Sequence, residues 1–189
     1  MFYRSERLFL RPAWPEDWNA IHAAIDDEGI VRNLARAPWP YTENDARWFA
    51  SQPQDERLPH FLITRPGAEG SALIGSIGLS EIEGEANIGY WIARAHWGQG
   101  YATEAGRAML ALARGLGHKR LVGRHFLDNP ASGLVLRRLG FRPVDERGAI
   151  FSAGRGQACP SARFEIELRA EHDDQDDSPD GGMEGRRAA

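Results

Sequence analysis

Two glycines two residues apart, in Trp97-Gly98-Gln99-Gly100-Tyr101-Ala102, are the residues of this 189-residue chain whose spacing points most directly to chemistry. Without Cβ atoms, backbone N–H groups can converge there. A helix starting directly afterwards adds the positive end of its dipole, and the two together suit a pyrophosphate. Thr103 offers a further hydroxyl donor. Two other phosphate motifs fail. The P-loop pattern is absent, and the dinucleotide fingerprint needs glycine or alanine at position 103, where threonine stands. A Gly-x-Gly pair alone equally fits a tight strand-to-helix turn with no ligand, so its surroundings decide. Glu81, Glu83 and Glu85, about a hairpin that leads into the strand before the turn, are carboxylates that could take a proton, although such a run also reads as a solvated face.

The turn needs a strand before it and a helix after it. Ile88 to Ile92 reads as the strand, with Gly89 marking a bulge or a close backbone approach. The helix begins near Ala102 or Thr103, aligns Ala105, Ala108, Met109, Leu112 and Leu116, and stops at Gly117. Arg120 to His125 is a strand. Asn129 is a good N-cap and Pro130 a good first helical residue for a helix through Val135, Leu136 and Leu139 to Gly140. Upstream, Leu8 to Arg11 is a strand stopped by Pro12. Pro15 to Ile25 is helical, with Trp18, Ile21 and Ile25 on one face, and Thr42 opens a short helix with a capping box. Phe61 to Thr64 and Leu73 to Leu79 are strands about a Pro66–Gly70 turn, and Phe141 to Val144 and Phe164 to Leu168 close the sheet. The expected class is mixed α/β.

In this order, four blocks resemble the GNAT superfamily of N-acetyltransferases, in particular its ribosomal-protein N-terminal (Rim-type) branch. They are Ser5-Glu6-Arg7-Leu8-Phe9-Leu10-Arg11-Pro12, Ile88-Gly89-Tyr90-Trp91-Ile92, Trp97 to Ala105, and Asn129-Pro130-Ala131-Ser132 leading to Leu139-Gly140-Phe141. The resemblance covers roughly residues 5–168. It implies a GNAT fold: a mostly antiparallel mixed sheet whose middle strands splay, flanked by helices. It implies acetyl-CoA as co-substrate, with the pyrophosphate on Trp97, Gly98, Gln99, Gly100, Tyr101, Ala102 and Thr103. Backbone groups of Ile92 and Arg94 would meet the pantetheine arm, and Asn129 would hydrogen-bond it near the reacting end. The superfamily pattern at the turn is Gln/Arg-x-x-Gly-x-Gly/Ala; Gly100 and Ala102 match it, and Trp97 stands at the Gln/Arg position, as in this branch.

Acyl transfer to an amine also needs an uncharged amine and a proton for the leaving thiolate. Many superfamily members supply that proton from a tyrosine four residues before the Gly-Phe pair, where this chain has Leu136. Ser132 resembles the serine this branch uses and is the candidate general acid; it equally reads as a first-turn helix serine. The branch often carries glutamate two residues before the strand glycine, where Asn87 stands, so the assignment of a base stays open, with Glu85 the named candidate. At about pH 7.5 an α-amine costs less than ~1 kcal/mol to deprotonate and a lysine about 4 kcal/mol. Lacking an obvious base, the chain leans toward an α-amine or a similarly low-pKa acceptor. The acceptor pocket is expected along Ala37 to Tyr41, with Trp39 and Tyr41 the named residues, and at strand ends near Phe151 and Cys159, the aromatics reading equally as core. No catalytic role falls to Cys159.

Composition bounds the rest. Hydrophobic residues make up 42%, enough for one core, and there is no 18-residue apolar run. The charged N-terminus does not read as a secretory signal, and a single cysteine fits a reducing cytoplasm. A net charge of −4 without a basic run argues against general nucleic-acid binding, and no Cys/His cluster has metal spacing. The expected domain is 1–169. Residues 170–189, nearly free of large apolar side chains, read as a disordered acidic tail. The expected function is transfer of an acetyl group from acetyl-CoA to a primary amine, of a peptide or protein N-terminus or of a small molecule, by a monomer or homodimer. The alternatives are a non-catalytic acyl-CoA sensor or scaffold on the same fold, and an unrelated nucleotide-binding domain.

Overall fold

The computed structural model of the protein describes residues 1–68 and 70–168, so the expected tail at 170–189 lies outside the described residues. Eight strands form one sheet: β1 (Tyr3–Arg4), β2 (Phe9–Arg11), β3 (His60–Gly67), β4 (Gly70–Ile82), β5 (Glu85–Ile92), β6 (Arg120–Phe126), β7 (Arg142–Ser152) and β8 (Gln157–Glu167). Their order is β1-β2-β3-β4-β5-β6-β8-β7, and every neighbouring pair is antiparallel except β5–β6. Five helices cover it: α1 (Trp18–Ile25), α2 (Glu28–Val31), α3 (Glu43–Ala50), α4 (Tyr101–Gly115) and α5 (Pro130–Arg138).

Strand alternation separates two cores. Phe61, Ile63, Ile77, Leu79, Ile88 and Ile92 face α4 and α5, where Ala105, Ala108, Met109, Leu136 and Leu139 meet them. Leu62 faces the other way, into a smaller core with Ile21 and Ile25 of α1, Val31 of α2 and Ala46 of α3. Burying each large aliphatic contributes roughly 1.5–3 kcal/mol, which is why the α4 stripe read from the sequence is the side that faces the sheet. The Thr42 capping box is present: its Oγ1 accepts from Asp45 N at 3.2 Å, while Thr42 N donates to Asp45 Oδ2 at 2.8 Å.

Several elements differ from the sequence expectation: β1 has no counterpart in it, and β3 runs from His60 to Gly67, taking in Pro66 and Gly67 of the expected turn, because pairing with β4 continues to Gly67↔Gly70. β4 runs thirteen residues, past Leu73–Leu79 at both ends, because its polar ends still pair with β3 and β5. β7 and β8 form a long hairpin rather than two short strands, held by ladder bonds in a stretch without apolar alternation. The one-turn α2 is too short to show a period; Asp27 caps it by accepting from Gly29 N at 2.7 Å.

Candidate active site

Between β5 and β6 the sheet comes apart. They pair only at Asn87↔Val122 and Ile88↔Gly123, whereas β4 continues to pair with β5 as far as Gly75↔Ile92. Gly89 to Ile92 therefore has one backbone edge without a strand beside it, and unpaired edges accept an extended ligand. The chain then turns through Arg94–His96 into the glycine turn, where Gly98 (φ 72°) and Gly100 (φ 81°) hold left-handed conformations that side chains resist. No side chain caps α4, and the N–H groups of residues 98–103 have no partner among the described residues. A fifteen-residue helix thus opens on a cluster of free donors.

The turn is braced from the N-terminal block. Ser5 Oγ donates to Glu104 Oε1 at 2.7 Å, Arg7 N donates to the same oxygen at 2.7 Å, and Arg7 Nε reaches Glu104 Oε2 at 2.7 Å. Glu104 lies below the usual carboxylate range: burial opposes this, and the donors from Arg7 and Ser5 outweigh it. Arg7 also donates to Gln99 O at 3.2 Å and stacks on Tyr101, so its guanidinium stands beside Gly100. Two blocks almost a hundred residues apart are parts of one bracket.

A cavity of about 960 Å³ runs from this turn through the splay to the far face of the sheet. Of the residues expected to hold substrates, Ile92, Trp97, Gly98, Gly100, Tyr101, Ala102, Thr103, Asn129, Ser132 and Tyr41 line it. Gln99, Arg94 and Trp39 are not among the lining residues. Gln99 Nε2 donates to Ala95 O at 3.1 Å, and Arg94 pairs with Asp27, its Nη2 at 2.6 Å from Oδ1. Trp39 is an exposed aromatic, and the neighbouring Ala35 to Pro38 backbone supplies that wall instead. Phe151 points to solvent and Cys159 is buried in the sheet, so Ile150 is the hairpin's contribution. Trp97 takes both carbonyls assigned to the pantetheine arm: its Nε1 donates to Ile92 O at 2.6 Å and its N to Arg94 O at 3.1 Å. Each carbonyl keeps a second lone pair.

Ser132 is in the cavity wall, with Oγ 2.9 Å from the Tyr90 hydroxyl, which also lies 3.2 Å from Ser132 O. Burial pushes the Tyr90 phenol up to about 12, offset in part by the Ser132 hydrogen bond, so it is a protonated donor at neutral pH. When it donates to Ser132 Oγ, the serine proton is free to point into the groove. Asn129, which lines the cavity, accepts from Ser132 N at 3.4 Å through Oδ1 and so caps α5, a bond that leaves its amide NH2 unused. The pairing of Tyr90 with Ser132 had no sequence signal, since the two are 42 residues apart.

Glu85 is not suited to the role of base. Its carboxylate is bound by Arg163 at 2.8 Å and Arg120 at 2.7 Å, with Arg124 at 4.0 Å, and its pKa is lowered chiefly by the Arg163 hydrogen bond. A carboxylate held that way has little affinity for a proton. Asn87 does line the cavity; its Nδ2 donates to Glu85 O at 2.9 Å, and its buried Oδ1 has no partner among the described residues. Arg155 brackets the far side, donating to Arg32 O at 2.6 Å and pairing with Asp128 at 2.7 Å, so the β7–β8 turn is tied to α2 and to the loop carrying Asn129.

A splayed parallel pair thus leads into a glycine turn lined with free donors, with a hydroxyl pair in the gap. Comparisons with known proteins give the family. Residues 7–142 match the model of the acetyltransferase (GNAT) domain, and the chain belongs to that family and is an acyltransferase. The uncharacterized N-acetyltransferase YoaA of Bacillus subtilis is 30% identical over 145 residues, 73% of this chain and 81% of YoaA. Among solved structures, a GNAT-family acetyltransferase from Bacillus anthracis superposes with a TM-score of 0.76 at 23% identity, over 89% of this chain and 99% of that one. RimL, a ribosomal L7/L12 α-N-protein acetyltransferase solved with coenzyme A, gives 0.70 at 21%, over 90% and 100%. The splayed, mostly antiparallel sheet expected from the resemblance is thus the observed fold. Among the described residues no group of His, Cys, Asp and Glu could hold a metal ion, and no helix is long and apolar enough to cross a membrane.

Proposed function

We infer that this acyltransferase moves the acetyl group of acetyl-CoA to a primary amine, the α-amine of a peptide or protein N-terminus. One observation carries the reading: Gly98 and residues 100–103, whose N–H groups are free, line the same cavity that passes Ser132 and reaches the opposite face. The N–H cluster and the Arg7 guanidinium suit a pyrophosphate. The open edge of β5 and the Asn129 amide suit the pantetheine arm. The carbonyl carbon would then lie in the gap beside Ser132, where the Tyr90–Ser132 pair supplies the proton that a departing thiolate takes up. The acceptor enters from the side walled by Tyr41 and Ile150. The low cost of deprotonating an α-amine and the lack of a free carboxylate at Glu85 favour such an acceptor over lysine.

The experiment is release of free thiol from acetyl-CoA with N-terminal peptides, polyamines, aminoglycosides and free amino acids compared side by side. N-terminal peptides are expected to give the highest kcat/KM. Faster turnover of a polyamine or aminoglycoside would move the acceptor to small molecules, and binding of acetyl-CoA with no thiol release for any amine would overturn the reading.

A further inference from the structure

The acceptor side of the cavity contains an imidazole for which the site as described has no use. His60 opens β3 opposite Gly78 of β4, and Gly78 lies opposite Gly89 of β5, so the three form one row across the sheet. A Cβ placed on Gly78 would stand 2.5 Å from Cγ and Cδ2 of the His60 ring, which shows that the ring lies across β4. Beyond it the space is open, because a Cβ on Gly89 would meet nothing within 4 Å. Neighbouring strands are about 4.8 Å apart, which leaves the ring roughly one strand spacing from the Gly89 backbone. Gly89 is the first residue past the last β5–β6 pair, Ile88↔Gly123. Two glycines therefore leave a trough running from the imidazole to the mouth of the splay. The ring of Phe49 closes the other side edge-on, with centroids 6.0 Å apart. Neither ring nitrogen of His60 has a hydrogen-bond partner among the described residues.

We propose that His60 is the general base of the transfer, taking the proton of the acceptor amine at the open end of this trough. The inference rests on the amine-acceptor reading above. The amine lone pair forms the C–N bond, the C–S bond breaks, the nitrogen's proton passes to the imidazole, directly or through one water, and the thiolate takes a proton from the Ser132–Tyr90 pair. The imidazole then returns its proton to solvent, and the Ser132–Tyr90 pair recovers one from solvent. Burial, with Arg36 adding to it, holds His60 below the ordinary histidine range, so the ring is neutral near pH 7. The other charged and titratable groups around the acceptor side are already engaged or distant in role. Asp45 is held in the Thr42 cap, Asp55 accepts from Arg57 N and Leu58 N, Arg124 faces Glu83 at 3.4 Å, and Tyr41 is pushed up to about 12 by burial.

The test is the pH dependence of kcat/KM for an N-terminal peptide, in the wild type and in His60→Gln, which cannot take a proton. In the wild type both the amine and the imidazole must be neutral, so the acid-side slope of log(kcat/KM) is expected to steepen from one to two as pH falls through the folded His60 pKa, which lies below the ordinary histidine range. His60→Gln is expected to keep a slope of one, to lose roughly 10²-fold or more in kcat, and to retain its KM for acetyl-CoA. A variant within threefold of wild type, with its slope unchanged, would overturn the proposal. Should His60→Gln fail to fold, the wild-type slope decides: a slope that stays at one through the pH range in which the His60 imidazole of the folded protein takes its proton, followed by NMR, overturns it. Absence of turnover with every amine would instead bring down the acceptor reading beneath it.

Discussion

At the scale of single residues, the site divides into side chains that announce themselves and side chains that do not. Ser132 follows Asn129-Pro130, a cap and first turn that place it on α5 before any coordinates are known. Tyr90 and His60 carry no such mark: one looks like an ordinary strand aromatic and the other like the end of an apolar strand. Only register and the sheet's splay give them meaning. If the Tyr90–Ser132 pair protonates the thiolate, Ser132→Ala is expected to lower kcat roughly 10²-fold and Tyr90→Phe about 10-fold, with the KM for acetyl-CoA little changed. Steady-state kinetics at saturating acceptor across about pH 6–9 measures this; equal rates for the wild type and Ser132→Ala would reduce the serine to a helix residue. Glu85 shows the opposite error, since a carboxylate that looks free in the sequence is claimed by arginines from two other strands.

At the scale of elements, strands and helices with a clean period were legible, and those shaped by tertiary pairing were not. The glycine turn, α4 and α5 stand where the sequence puts them. The β7–β8 hairpin and α2, which both contribute to the cavity wall, are polar or short and lack a period to read. Their union through Arg155 is a test of its own. The guanidinium is mostly buried and Asp128 about half exposed, so Arg155→Ala is expected to cost about 1–2 kcal/mol in melting experiments. It is also expected to raise the acceptor KM more than the acetyl-CoA KM. The turn is tested by Gly100→Glu, which imposes a side chain at φ 81° and a negative charge where the N–H groups converge. Wild-type protein is expected to gain about 2.7 kcal/mol of stability at a hundredfold excess of acetyl-CoA over its Kd, and folded Gly100→Glu none; calorimetry with and without ligand reads the difference.

At the scale of the whole molecule, acid sensitivity follows from which groups bind protons more weakly when folded. Asp27, Glu85 and Asp128 are lowered by hydrogen bonds from Arg94, Arg163 and Arg155, and Asp17 and Glu104 are lowered despite burial. Each contributes stability that is complete above about pH 4.5 and is lost as pH falls through its folded pKa. His60 is also lowered, and because the unfolded imidazole takes its proton first, stability begins to fall already below about pH 6.5. Melting temperature is therefore expected to be level from about pH 6.5 to 10, to decline gently below that range and then steeply in the carboxylate range, and to fall above it because unfolded tyrosines ionise before the buried Tyr41 and Tyr90. His60→Gln should remove only the gentle part.

The two-rung contact between β5 and β6 has a consequence for how the molecule breathes. Five strands on one side and three on the other are joined within the sheet only by Asn87↔Val122 and Ile88↔Gly123, with α4 and α5 bridging from one face. A pantetheine arm lying along Gly89 to Ile92 would serve as the absent ladder, so the ligand becomes a structural strand as much as a reactant. Amide hydrogen exchange should report this directly. The unpaired edge of residues 89–92 is expected to exchange quickly in the free protein and slowly with acetyl-CoA bound, and the protection should spread into residues 124–126 across the gap, because closing one side of the wedge steadies the other.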